Sequence, residues 1–264
     1  MAAADLERGW QVPEQLARAL GFARSLAIYH GLPWRTRALR RHYAAFLGPG
    51  DLAFDIGAHV GNHARCFAAM GVRVIAIEPQ PAFAAWLRRL FRARPQVTVL
   101  ECALAAAPGV VELYRSPRTP TVATVSRGWI ETVRASGGFE RVRWADAVQV
   151  PATTHDALIA RYGLPRFCKI DVEGYEAEVL RGLSQPIRAL SFEYVPVAIE
   201  VARRAAGLLA GLGPYRFNPT IGERRRFVWP EWRPLEALDD WLGARHADEP
   251  SGDVYARLED CGDD

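Results

Sequence analysis

The 264-residue chain is almost without lysine: Lys169 is the only one, and the other 32 basic residues are arginine. That scarcity excludes several chemistries. A Walker A phosphate loop ends in Gly-Lys-Ser/Thr, whereas Lys169 lies between Cys168 and Ile170. The Val-Ala-Ile-Lys strand of a protein kinase is missing too. A Schiff-base lysine could only be Lys169. Net charge is also small, +3 with a pI near 8.8, short of a nucleic-acid binder's basic signature. The arginine excess, beside abundant alanine, reads as genome composition. The four cysteines (Cys66, Cys102, Cys168, Cys261) are scattered with no CxxC pair, which argues against a zinc ribbon or a disulfide framework. The longest uncharged run, Ala205 to Tyr215, is eleven residues, too short for a membrane span. The opening MAAADLERGW has no apolar signal core. A soluble, cytoplasmic protein that binds neither nucleic acid nor membrane is expected.

What is present is ample material for a core, with 50% hydrophobic residues. Residues 1–47 read as an N-terminal helical extension. Leu16 and Leu20 sit four apart, Leu39, Tyr43, Phe46 and Leu47 form a second apolar face, and Gly31 and Pro33 separate the two. Arg35, Arg37, Arg40 and Arg41 are expected on the solvated side of that second helix. From residue 48 to about 257 short apolar runs alternate with helical stretches: LAFDI, VRVIAIE, VTVLECAL, FCKIDV and ALSFEY. Such alternation predicts an α/β domain with a mostly parallel sheet and helices on both faces. YRFN and RRFVW, joined by PTIGE, read as a terminal hairpin with one antiparallel strand. Residues 105–150 break the pattern. VVELY, TVATVS and FERVRW suggest a β-rich insertion at the sheet edge. Residues 258–264 read as an acidic tail.

The sharpest local signal is Phe54-Asp55-Ile56-Gly57-Ala58-His59-Val60-Gly61-Asn62-His63, a strand running through a glycine turn into a helix. Ligands in open α/β sheets bind beyond the carboxyl ends of strands. The dinucleotide fingerprint is GxGxxG, but His59 occupies the middle glycine position and would crowd a pyrophosphate. Asp55, expected to point into the crevice, suits a cationic group. Glu78 closes the second strand 21 residues after Gly57, the spacing of the acidic residue that binds ribose hydroxyls. The ligand implied is a nucleoside without a diphosphate and with a cationic amino-acid tail. S-adenosylmethionine fits. Its binding set would be Asp55, Gly57, Ala58, His59, Gly61, Asn62, Glu78, Pro79 and Asp171, with Glu101, Cys102 and Ala103 at the adenine edge.

Lys169-Ile170-Asp171-Val172-Glu173-Gly174 is the second constellation. Alternation puts Lys169, Asp171 and Glu173 on one side of a central strand. A buried ammonium needs a carboxylate, and Asp171 or Glu193 of the next strand is the expected partner. Together FDIGAHVGNHA, VIAIEPQP, VTVLECAL, TTHDALI, FCKIDVEGYEAEVLRGL, ALSFEY and GDVYAR resemble, in order, the FkbM family of S-adenosylmethionine-dependent methyltransferases. The resemblance implies a Rossmann-like seven-stranded sheet of order 3-2-1-4-5-7-6, the hairpin supplying its last two strands. It also implies methyl transfer to a hydroxyl on a sugar, polyketide or other secondary metabolite. His59 stands where many members carry Asn, and Glu101 where many carry Asn or Asp.

Methyl transfer to an alcohol needs an aligned acceptor and a group that takes its proton. Asp171 and Glu173 lead as candidates, followed by Glu193 and His155, with Lys169 ordering the carboxylates. Thr124 and Ser126 are expected to line the acceptor pocket; Arg224 and Arg225 read first as part of a solvated turn, with a grip on an acidic acceptor as the alternative. No metal is assigned, since nothing separates a cation site here from a lysine-paired cluster. Two other classes compete. A nicotinamide oxidoreductase is disfavoured by the missing middle glycine, and a non-catalytic nucleoside-binding protein by the intact acidic and glycine positions.

Overall fold

The computed structural model describes residues 21–23, 26, 33–116, 119–136, 142–144 and 146–259. Its main sheet contains β1 (Leu52–Ile56), β2 (Arg73–Ile77), β3 (Val97–Leu100), β7 (Phe167–Ile170), β8 (Ala189–Tyr194), β9 (Tyr215–Pro219) and β10 (Gly252–Leu258). Their spatial order is β3-β2-β1-β7-β8-β10-β9. β10 runs antiparallel to both of its neighbours and the other pairs are parallel. Counted in chain order within this sheet alone, that is 3-2-1-4-5-7-6.

These runs form strands because both faces are covered. Phe54, Ile170 and Phe192 point to one side. There they meet α5 (His155–Tyr162), α6 (Glu176–Arg181), α7 (Ile199–Leu212) and α8 (Leu235–Gly243) through Leu158, Val179, Leu209 and Leu238. Ala53, Phe167 and Tyr255 point to the other side. Their partners are Tyr43 of α1 (Pro33–Tyr43), Phe67 of α2 (Asn62–Ala69) and Leu87 of α3 (Pro81–Leu90). Full burial of each such side chain contributes about 1.5–3 kcal/mol. Among the described residues no helix is long and apolar enough to cross a membrane.

Two expectations are corrected. RRFVW is not a strand: Gly222–Arg224 is a single 3-10 turn, and Phe227 makes only an isolated bridge to Thr220. The partner of β9 is β10, whose Val254, Tyr255 and Ala256 are all buried between β8 and β9. Three consecutive arginines cannot be buried so cheaply. Within 105–150, β5 (Gly109–Arg115) covers VVELY as expected, but TVATVS is a turn and α4 (Arg127–Ala135) follows it. β6 (Asp146–Thr153) lies after FERVRW, whose described part is loop. β6 pairs with β5 and with β4 (Ala103–Leu104) in a separate three-stranded sheet. Most of the helix expected within residues 5–32, and the tail beyond residue 259, lie outside the described residues.

This insertion packs on Val195, Val197 and Ala198 after β8 and is fastened to the loop after β7. The Thr124 hydroxyl donates to the Glu173 carbonyl at 2.6 Å. Ser126 caps α4 by accepting from the Trp129 N–H. Trp129 covers Gly174, where a Cβ would come within 2.1 Å of its ring.

Candidate active site

The β1–α2 loop is shaped by what crosses it. Gly57 has φ +81°, and a Cβ there would lie 1.8 Å from the Asp171 carbonyl oxygen. Only glycine lets the loops after β1 and β7 pass this closely. The Gly57 and Ala58 N–H groups both donate to the Ile77 carbonyl at 2.9 Å. Glu78 continues the arrangement. Its two oxygens accept from the His59 and Gln80 N–H groups, each at 2.8 Å. A carboxylate has about four acceptor positions; the Gln80 side chain also bonds to Glu78, so one remains for a ligand's hydroxyl. Burial pushes the Glu78 carboxyl up to about 7 against those bonds.

Glu78 lines a first cavity of about 540 Å³, with Ile77, Pro79, Cys102, Ala103 and Thr124. Its walls are mainly apolar and its polar edge is Glu78, which fits a nucleoside. Several expected ligand residues lie elsewhere. Asp55 does not line this cavity: it is 1% exposed, and Oδ2 accepts from the Ala64 N–H in the first turn of α2 at 2.9 Å. It serves that helix end rather than the crevice, and burial raises its carboxyl to about 7. Gly61 (φ +84°) is needed for packing, since a Cβ would lie 2.6 Å from Leu87. Ala58 is buried behind the loop. Glu101 turns to solvent and pairs with Arg88 at 2.7 Å. Thr124 belongs to this first cavity, while Ser126 is used up as a cap.

A second cavity of about 1040 Å³ opens beside the first. Its polar centre is Lys169, whose side chain is only 3% exposed. Nζ donates to Asp171 Oδ2 at 3.0 Å and to Asp253 Oδ1 at 3.2 Å. Asp253, on the antiparallel strand β10, takes the place expected of Glu193. Burial works against the ammonium, but the Asp171 and Asp253 carboxylates outweigh it and raise its pKa well above the usual lysine value. Glu193 and Glu173 also line this cavity. One oxygen from each of Asp171, Glu173 and Glu193 lies within 4.8 Å of the others. Burial first, then mutual repulsion, pushes the Glu173 and Glu193 carboxyls well above the carboxylate range. Glu193 Oε2 is buried and has no hydrogen-bond partner. Oxygens grouped this way could also share a hard cation.

The two cavities share a wall of five residues: Gly57, His59, Thr121, Asp171 and Glu173. A group held in one is therefore next to a group held in the other. Asn62 lines the second cavity alone. So do Tyr43, His63 and Tyr255, none of which is given a site role by the sequence motifs. The Tyr43 hydroxyl is hydrogen-bonded to His63 Nδ1 at 2.9 Å. Burial, with Lys169 and Arg225 nearby, keeps His63 neutral. Asp253 and Tyr255 sit in GDVYAR, and placing β10 correctly would have found them. Arg225 lines this cavity; Arg224 lines neither and is exposed.

His155 is not in the site. It is fully buried beneath the opposite face of the sheet, with Nδ1 donating to the Val179 carbonyl at 3.1 Å and Nε2 3.4 Å from Cys168 Sγ. Strand alternation puts Cys168 on the side away from Lys169. Burial lowers the His155 pKa to about 4.

The family model of the FkbM methyltransferase domain matches residues 55–246. A hexuronic acid methyltransferase of Haloferax volcanii, AglP, is 26% identical over 173 residues, covering 62% of this chain. The match spans 65% of that relative's length, just under two thirds. Among solved structures, an O-methyltransferase from Bacillus cereus in complex with SAH aligns over 97% of this chain and 94% of its own, at 13% identity and TM-score 0.47. A precorrin-6y C5,15-methyltransferase from Geobacter metallireducens aligns over 85% and 86%, at 12% identity and TM-score 0.46. Likenesses at that level add nothing to the strand order already described. The residues that form the shared wall, from Gly57 through Glu173, fall inside the matched span, and the chain belongs to the FkbM methyltransferase family.

Proposed function

We propose that the protein transfers a methyl group from S-adenosylmethionine to a hydroxyl oxygen of a small polar acceptor, a sugar or a similar secondary metabolite. The observation that carries this reading is the wall common to the two cavities, with Asp171 and Glu173 in it. When bound, S-adenosylmethionine supplies an electrophilic methyl group on a sulfonium. The remaining acceptor position of Glu78 suits a ribose hydroxyl, and the apolar walls beside Cys102 and Ala103 suit its base. The second cavity, lined by carboxylates, hydroxyls and histidines, suits a polyhydroxylated acceptor. The name of the archaeal relative, which acts on a hexuronic acid, supports a sugar.

The residues divide the work as follows. Lys169 binds Asp171 and Asp253 and fixes the mouth of the sheet. Asp171, held by the ammonium, positions the reactants. Glu193 and Glu173, crowded and desolvated, bind a proton far more readily than an ordinary carboxylate. In their ionised form they take the hydroxyl proton as the oxygen attacks. The test is calorimetry with S-adenosylhomocysteine and NAD, followed by labelled-methyl transfer to a cell extract. Binding of the first ligand only, and a product heavier by one methyl, is the expected result. Preference for NAD would return the protein to the oxidoreductases.

A further inference from the structure

Three non-glycine residues among the described ones have left-handed backbone: His59 (φ +47°), Glu173 (φ +54°) and Arg225 (φ +48°). L-residues adopt this region rarely, and such outliers collect where function demands a side-chain direction. All three line the second cavity, although they come from three separate loops. His59 and Glu173 sit in the wall shared with the first cavity, whereas Arg225 lines the second alone. Arg225 is therefore on the acceptor side.

Its surroundings hold it there. The ring of His42 lies beside the Arg225 backbone. That ring packs edge-on against Tyr43 and Tyr255, which line the same cavity. The positive charge is felt across the cavity, since it opposes protonation of His63 and favours ionisation of Tyr255. The four carboxyl groups of the cavity repel an anion less than their number suggests. Asp171 and Asp253 share Lys169, which offsets part of their charge. A guanidinium presents paired donors in a plane that matches a carboxylate.

We propose that Arg225 is a specificity-determining residue that binds a carboxylate of the acceptor, making that acceptor a sugar acid. This rests on the second cavity being the acceptor site. The experiment uses D-glucuronate and its uncharged methyl ester as probes, titrated into the protein already saturated with S-adenosylhomocysteine. Wild type should bind glucuronate at least about tenfold more tightly than the ester. Arg225→Ala and Arg225→Gly should both lose that difference and keep their affinity for S-adenosylhomocysteine. Arg225→Gly suits a left-handed backbone and should melt no lower than wild type, so its loss of preference would not reflect unfolding. No preference in wild type, or a preference retained in Arg225→Ala, overturns the proposal. Failure of the wild type to bind S-adenosylhomocysteine at all would instead overturn the reading of the two cavities.

Discussion

Lys169 shows how much one residue can organise. It is buried in a central strand, opposite Asp55 on β1 and Ser191 on β8, and bridges carboxylates from β7 and β10. Removing one partner of a buried pair costs about 3–5 kcal/mol. Asp171 and Asp253 are 38% and 25% exposed, so water recovers part of that. Lys169→Met should therefore destabilise the protein by about 2 kcal/mol in chemical denaturation, below the fully buried range. Lys169→Arg should also destabilise, despite keeping the charge, because a planar guanidinium is bulkier than the ammonium packed there. An equally stable, equally active Lys169→Arg protein would make the lone lysine an accident of composition. The motif showed this residue and one of its partners. The second, Asp253, is 84 positions away, and no local pattern links the two.

At the scale of elements, legibility followed how local the cause was. The loop after β1 could be read because Gly57 and Glu78 act through backbone geometry and spacing. The loop after β7 could be read because KIDVEG is compact. Asp55 was misread for a reason that is also physical. A carboxylate at a strand end can face a crevice or the free N–H groups of the following helix, and Ala64 decides the matter only once α2 is in place. RRFVW and GDVYARL both carry a short run of strand-forming apolar residues, so local composition does not tell the last strand from its decoy. What separates them is tertiary: β10 has a strand on each side and Phe227 has only a bridge. α4 was missed because its place in the insertion depends on Trp129 meeting Gly174, a contact between segments 45 residues apart.

The whole molecule holds an unusual store of buried acid at one end of the sheet. Asp55, Glu78 and Glu176 are each raised by burial to about 7, and Glu173 and Glu193 are raised further by burial and by the carboxylates around them, Asp171 and Glu176 in both cases. Carboxyl groups raised above their unfolded values hold protons more tightly when folded. Their contribution to stability is complete below about pH 4 and is lost as pH rises through about 7. His42, His63 and His155 act oppositely, because their lowered values make them stabilising only above 6.5. The two sets partly cancel below 6.5, and only the acids titrate above it. The melting temperature of the ligand-free protein should fall most steeply between about pH 6.5 and 8. A melting temperature that rises across this window would contradict the burial of these acids. Topology was the most legible property at this scale, since strand–helix alternation leaves few sheet orders open. The pairing of two cavities was the least, because it depends on loops from both ends of the chain.

The account turns on chemistry occurring where those cavities meet. The most direct measurement is labelled-methyl transfer by Glu193→Gln beside its affinity for S-adenosylhomocysteine. Loss of a proton acceptor predicts turnover reduced by about 10²–10⁴-fold, with that affinity within about twofold of wild type. Unchanged turnover in Glu193→Gln would contradict it.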